Sequence, residues 1–253
     1  MIDATRPVDG SHHKGLGGRR VLITGANGGI GKALAHAFAA AGCRLVLVGR
    51  SPLIADLAGK LGDGHMGITA DLSDEAQIVE ASHRAGAIDV LINNAAIAPL
   101  GPAIDYATSD FDATLATNLR APFILAREAG RGMLERGWGR IINIASQAAV
   151  IAIEDHVAYC ASKAGLVGLT QVLAIEWGRR GLTVNAISPT IVATEMAKRN
   201  WAGTKGDAAR NAIPAGRFVT PEEVARAALF IASDDAAMIN GANLIIDGGN
   251  TVR

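Results

Sequence analysis

Ser146, Tyr159 and Lys163 are the residues whose types and spacing could do chemistry. Tyr159 and Lys163 lie four apart in Tyr159-Cys-Ala-Ser-Lys163, at the start of a stretch with apolar residues at Leu166, Leu169, Val172, Leu173 and Ile175. That periodicity predicts a long helix ending near Gly178 and Gly181. A spacing of four sets both side chains on one helix face, one turn apart. A phenol with a pKa of about 10 is a poor proton donor or acceptor at neutral pH. An ammonium roughly 4–6 Å away favours the phenolate and is expected to lower that pKa toward the range of a general acid or base. Ser146 follows the apolar run Arg140-Ile-Ile-Asn-Ile-Ala145, which reads as a buried strand. A hydroxyl at a strand's C-terminal end can hold a substrate oxygen beside the tyrosine. Taken alone, Tyr-x-x-x-Lys is also the pattern of an ordinary surface pair, so the elements around it must decide.

Those elements begin with Arg20-Val-Leu-Ile-Thr24, an expected strand, followed by Gly25-Ala-Asn-Gly28-Gly29-Ile-Gly31 and a helix to about Ala41. Strand, glycine turn and helix predict a phosphate cradle, because the helix N-terminus offers N–H donors and a positive dipole end. The alternative is a tight turn with no ligand. Further apolar strands are expected at 45–48, 66–70, 88–92, 182–187 and 243–246. A helix spanning about Asp110 to Leu134 is expected to contain Asn118 and Pro122, and another to open at Pro221. The polar stretch from Thr194 to Arg217 is the candidate for a mobile lid. Strands alternating with helices imply one α/β domain, a doubly wound parallel sheet of the Rossmann-like kind with helices on both faces. Ligands in such sheets bind outside the strands' C-terminal ends. The glycine turn, Arg50, Asp71, Asn93, Ser146 and Pro189 all fall there. A ribose-binding carboxylate is expected about 20 residues past the glycines, yet Arg50 stands at that place. Arg50 could grip a 2′-phosphate, or stack on adenine and serve either cofactor.

Composition excludes other classes. The 253-residue chain has 24 Lys and Arg against 24 Asp and Glu, with no basic run, which disfavours a nucleic-acid surface. No uninterrupted apolar run of roughly 18 residues suggests a membrane span, and residues 1–18 read as a flexible arm without the apolar core of a secretory signal. The 2 cysteines, Cys43 and Cys160, make no disulfide framework, so the expected location is cytoplasmic. His12-His13 stands without other ligands beside it, and no metal site is expected.

The ordered set Thr24-Gly-Ala-Asn-Gly-Gly-Ile-Gly31, Asn93-Asn-Ala-Ala96, Asn118, Ser146, Tyr159-Cys-Ala-Ser-Lys163, Ser188-Pro-Thr190 and Asp247-Gly-Gly249 resembles the short-chain dehydrogenase/reductase family. The resemblance covers about residues 19–250 and favours the 3-oxoacyl-carrier-protein reductase, polyol and sugar dehydrogenase branches. Ala96 and Thr190 depart from the family's usual glycines. The resemblance implies NAD(P)-dependent interconversion of a ketone and a secondary alcohol, with catalytic residues Asn118, Ser146, Tyr159 and Lys163. Tyr159 is then the general acid or base, Ser146 holds the substrate oxygen, Lys163 also bonds the nicotinamide ribose and Asn118 anchors a water relay. Cofactor contacts are expected from Gly25, Asn27, Gly28, Gly29, Ile30, Gly31, Arg50, Asp71, Leu72, Asn93, Ala95, Tyr159, Lys163, Pro189, Val192 and Thr194, with NADP(H) preferred and NAD(H) possible. Substrate contacts are expected from Ser146, Gln147, Ala148, Ile153, His156, Met196 and Trp201. Apolar residues on more than one face of the two long helices, including Phe123, Leu166, Leu169 and Trp177, are expected either to pack on a partner or to be buried further within one subunit, and the resemblance implies a homotetramer with two-fold interfaces. A dinucleotide-binding sensor without turnover, or an epimerase or dehydratase on the same fold, are the competing readings.

Overall fold

Seven strands form one fully parallel sheet in the order β3-β2-β1-β4-β5-β6-β7. The computed structural model describes residues 14–195, 197 and 201–252; Met196, expected near the substrate, and His12-His13 lie outside them. In chain order the strands are β1 (Arg20–Thr24), β2 (Arg44–Gly49), β3 (Met66–Thr69), β4 (Val90–Asn93), β5 (Gly139–Ile144), β6 (Leu182–Pro189) and β7 (Asn243–Ile246). The helices are α1 (Gly29–Ala40), α2 (Ile54–Lys60), α3 (Glu75–Ala85), α4 (Thr108–Leu115), α5 (Ala121–Arg136), α6 (Val157–Gly178), α7 (Gly203–Ala212) and α8 (Pro221–Ala232).

Continuous apolar strand sequences are explained by burial on both sheet faces, where alternate residues feed different layers. Val21 and Ile23 of β1 join Val90 and Ile92 of β4 in a core with Leu34 and Phe38 of α1 and Val224 and Leu229 of α8. Leu22 and Leu91 point the other way, into a core with Ile78 of α3, Leu125 of α5 and Leu173 of α6. Strand order reverses between β1 and β4, which opens a crevice at their C-terminal ends.

Four expectations need correction. The helix expected over 110–134 is two helices joined by a π-helical turn, Ala116–Arg120. Pro122 has no N–H to return to the carbonyl of Asn118, and the Asn118 side chain is held by the main chain at Ile97 instead. Lys14–Gly18, placed in the arm, belongs to the fold: Leu16 is fully buried, its carbonyl accepts from Cys43 Sγ, and Lys14 O accepts from Asp234 N. Helix α6 is, by length and composition, long and apolar enough to cross a membrane. It packs instead beside β5 and β6, with Leu166 and Leu173 buried and Lys163 sunk beneath it. Leu166 thus faces the core rather than a partner, and the exposed large apolar residues of α5 and α6 are Phe123, Val157, Val172 and Ile175. The stretch proposed as a lid contains α7.

Candidate active site

Two strand ends are latched together before any ligand is considered. Thr24 Oγ1 accepts from Asn94 N (2.9 Å) and Ala95 N (3.0 Å), and Asn94 Nδ2 donates to Thr24 O (2.9 Å). Gly25 then turns with φ +63, and a Cβ there would lie 2.8 Å from Ala95 Cα. At the start of α1, a Cβ on Gly31 would run into the Gly25 carbonyl, so the turn and helix are in backbone contact. Gly28 caps α1 without a side chain and the first turn carries no acid. The helix therefore presents N–H groups that no side chain among the described residues satisfies, between exposed Asn27, Gly28, Gly29 and half-buried Ile30. This cradle fits the pyrophosphate of a dinucleotide.

The remaining expected cofactor residues frame the same crevice. Arg50 is exposed after β2. Asp71, after β3, accepts from Ser73 N (2.9 Å) and Oγ (2.8 Å); these bonds hold its carboxyl below the usual range, with nearby Arg50 adding a smaller pull. Leu72 beside it is buried. Asn93 Nδ2 donates to Asn143 Oδ1 (2.8 Å), and Asn143 Nδ2 to Thr170 Oγ1 (2.8 Å), tying β4, β5 and α6 into one polar chain. Asn93 Oδ1 is buried with no partner among the described residues. Pro189 ends β6, Val192 bridges to Val219, and Thr194 packs so closely on Gly29 that a Cβ there would strike its methyl. Thr190 is buried, and its Oγ1 has no partner among the described residues. Ala96, the other departure from the family glycines, is exposed, so its methyl is accommodated.

The structure brings the four catalytic candidates together. Ser146 leaves β5 in extended conformation, accepts from Ala148 N (3.2 Å) and sets its hydroxyl near the Tyr159 phenol, where it favours the ionised form. Lys163 is 2% exposed; its Nζ donates to Ile144 O (2.7 Å) and lies 5.6 Å from the centre of the Tyr159 ring. Asn118 receives Ile97 N on Oδ1 (2.9 Å) and donates from Nδ2 to Ile97 O (2.9 Å) and Ser162 Oγ (3.1 Å). Ser162 in turn donates to Tyr159 O (2.8 Å), so Asn118 braces the turn that carries the tyrosine.

The electrostatics reverse one expectation. Burial pushes the Tyr159 phenol up, and the nearby Ser146 hydroxyl opposes this only in part. Burial also depresses the Lys163 ammonium to about 8. Lys163 is committed to the Ile144 carbonyl, so desolvation dominates both groups. Tyr159 is held protonated at neutral pH rather than prepared as a phenolate.

On the substrate side, Asp155 adopts the left-handed conformation (φ 61) just before α6, and His156 follows with its ring 6.1 Å from that of Tyr159, edge to face. Ala148 is buried, Ile153 is half-buried, and Trp201 stacks edge-on to Phe218 at 6.4 Å. Sequence reasoning missed the Asn143–Thr170 link and the partner of Gln147. Asn143 was signalled only by being polar within a buried strand.

A sequence profile described as enoyl-(acyl carrier protein) reductase matches residues 25–251. The chain is 49% identical over 247 residues to D-threitol dehydrogenase of Mycolicibacterium smegmatis, covering 94% of this chain and 95% of that protein. It is 45% identical over 237 residues to NAD-dependent glycerol dehydrogenase of Listeria innocua, covering 92% and 93%. A solved gluconate 5-dehydrogenase from Burkholderia cenocepacia, in complex with NADP and tartrate, superposes with a TM-score of 0.89 at 34% identity, covering 94% and 96%. With its parallel seven-stranded sheet and its Ser–Tyr–Lys–Asn constellation, the chain belongs to the short-chain dehydrogenase/reductase family.

Proposed function

We propose that the protein interconverts a small polyol and the corresponding ketose with NAD(P)(H). The observation that carries the chemistry is Tyr159 set beside Ser146 and 5.6 Å, ring centre to Nζ, from buried Lys163, at the same sheet edge as the glycine cradle. The bound nicotinamide supplies or accepts the hydride. In reduction, Ser146 holds the carbonyl oxygen and Tyr159, kept protonated by burial, delivers a proton to it; oxidation runs the same transfers backward. Lys163 lends positive charge beside the phenol and a donor for the nicotinamide ribose. Asn118 has spent its side chain, so its part in a water relay to Lys163 falls to the main-chain carbonyl that Pro122 cannot bond.

The relatives that act on threitol and glycerol support a short, hydroxylated substrate. Ala148, Ile153, His156, Trp201 and Met196 shape its pocket. Arg50, exposed at the end of β2 where a ribose-binding carboxylate would repel a 2′-phosphate, supports a moderate preference for NADP(H). The apolar residues Phe123, Val172 and Ile175 left exposed on α5 and α6 support a homotetramer, and the free Cys43 and Cys160 support a cytoplasmic location. The deciding experiment sets four- and five-carbon polyols against 3-oxoacyl thioesters, following reduced-nicotinamide absorbance. Higher kcat/KM for the polyol–ketose pair is expected; a preference for the thioesters would refute the substrate class.

A further inference from the structure

Gln147 follows the substrate-binding Ser146 directly, opens the short turn Gln147–Ala149 and is buried. Its Oε1 accepts from Asn250 Nδ2 at 2.7 Å, a link spanning 103 positions of sequence. A primary amide has two unlike ends: an acceptor oxygen and an NH2 donor. With Oε1 engaged, the donor end is turned the other way. Nε2 makes no hydrogen bond to another described residue, nor is it among the buried atoms without partners, so it is an accessible, unengaged donor on the residue next to Ser146. Asn250 sits on a rigid mount. Its N–H donates to Asp247 O (3.2 Å), and the Asp247 carboxylate receives Gly249 N (2.9 Å), Thr251 N (2.7 Å) and Thr251 Oγ1 (2.7 Å). Burial raises the Asp247 pKa, but these bonds outweigh it and keep the carboxyl ionised.

We propose that Asn250 is a positioning residue that fixes the Gln147 amide with its donor toward the substrate, so that the site reads an oxygen acceptor on the carbon next to the reacting one. The assignment rests on the polyol reading above and sharpens it: Ser146 and Tyr159 take the reacting oxygen, and Gln147 Nε2 takes its neighbour. Selectivity for vicinally oxygenated substrates then depends on a residue near the C-terminus that touches no substrate itself.

Three four-carbon ketones of nearly equal size separate the possibilities. Butanone has no neighbouring oxygen, acetoin has a neighbouring hydroxyl that donates and accepts, and diacetyl has a neighbouring carbonyl that only accepts. Wild-type enzyme is expected to favour acetoin over butanone. In Asn250→Asp the new carboxylate accepts from Gln147 Nε2, turning the amide so that Oε1 faces the substrate. Acetoin can still donate to that oxygen, whereas diacetyl meets two acceptors face to face. The diacetyl-to-butanone ratio of kcat/KM should therefore fall about tenfold while the acetoin-to-butanone ratio stays within about threefold. In Asn250→Ala the amide rotates freely and both ratios should fall by about threefold. Equal losses on all three ketones would mark Asn250 as merely structural and overturn the proposal, as would unchanged ratios or a wild type without the acetoin advantage. Turnover of four-carbon polyols by the wild type tests the substrate reading separately, so the two can fail independently.

Discussion

Replacing Lys163 by methionine removes a buried ammonium that has no carboxylate partner among the described residues, and the pH dependence of the effect can be worked from the structure. Burial lowers its pKa from the ordinary 10.5 to about 8. Between those values the unfolded chain binds a proton that the folded chain has released. Stability therefore rises with pH across this window, and below pH 8 the folded state bears the full cost of the charge. At about 1.4 kcal/mol per pKa unit the cost is roughly 3 kcal/mol at pH 7, and linkage relieves about 2 kcal/mol of it by pH 9.5. Lys163→Met also loses the bond to Ile144 O, a loss far less dependent on pH. The informative quantity is thus the wild-type-minus-variant difference in unfolding free energy, measured by urea denaturation at one protein concentration from pH 7 to 9.5. It should rise by about 2 kcal/mol in favour of the wild type. A flat difference, or one that falls with pH, would refute the claim that Lys163 is held against its own desolvation.

Tyr159→Phe should abolish turnover while cofactor affinity, read by fluorescence titration, stays within a few-fold, because the phenol moves the proton and the glycine cradle holds the nucleotide. Gly31→Ala drives a methyl into the Gly25 carbonyl; a loss of at least about 2 kcal/mol in unfolding free energy and loss of cofactor binding are expected, and wild-type affinity would contradict the packing. Arg50→Asp should shift the NADP/NAD ratio of kcat/KM toward NAD by about one to two decades. It is a cleaner probe than a carboxylate at Gly49, whose Cβ would lie 2.9 Å from Asn27 Oδ1. Light scattering should give four times the 26.0 kDa chain mass, and Ile175→Asp should shift the protein toward smaller species; a wild-type monomer at micromolar concentration would remove the basis for the assembly.

The features legible in the sequence are those that short windows encode. Each strand announces itself as a short, mostly apolar run, Gly25 to Gly31 declares a turn that admits close backbone contact, and Tyr159 and Lys163 share a helix face because four residues make about one turn. The rest depends on chain brought from elsewhere. No window around 110–134 reveals that Asn118 will exchange two hydrogen bonds with Ile97, and without that exchange the π-helical turn has no visible cause beyond Pro122. Nothing near Ser146 names Asn250 as the partner that orients Gln147. The sign of the tyrosine shift was lost for the same reason. Spacing places an ammonium near a phenol, but the depth at which both lie is set by α6 docking on β5 and β6, and at that depth each group loses water before it gains from the other. Proximity read from sequence thus fixes which groups can interact, whereas the solvent removed by the fold decides which protonation state the pair adopts.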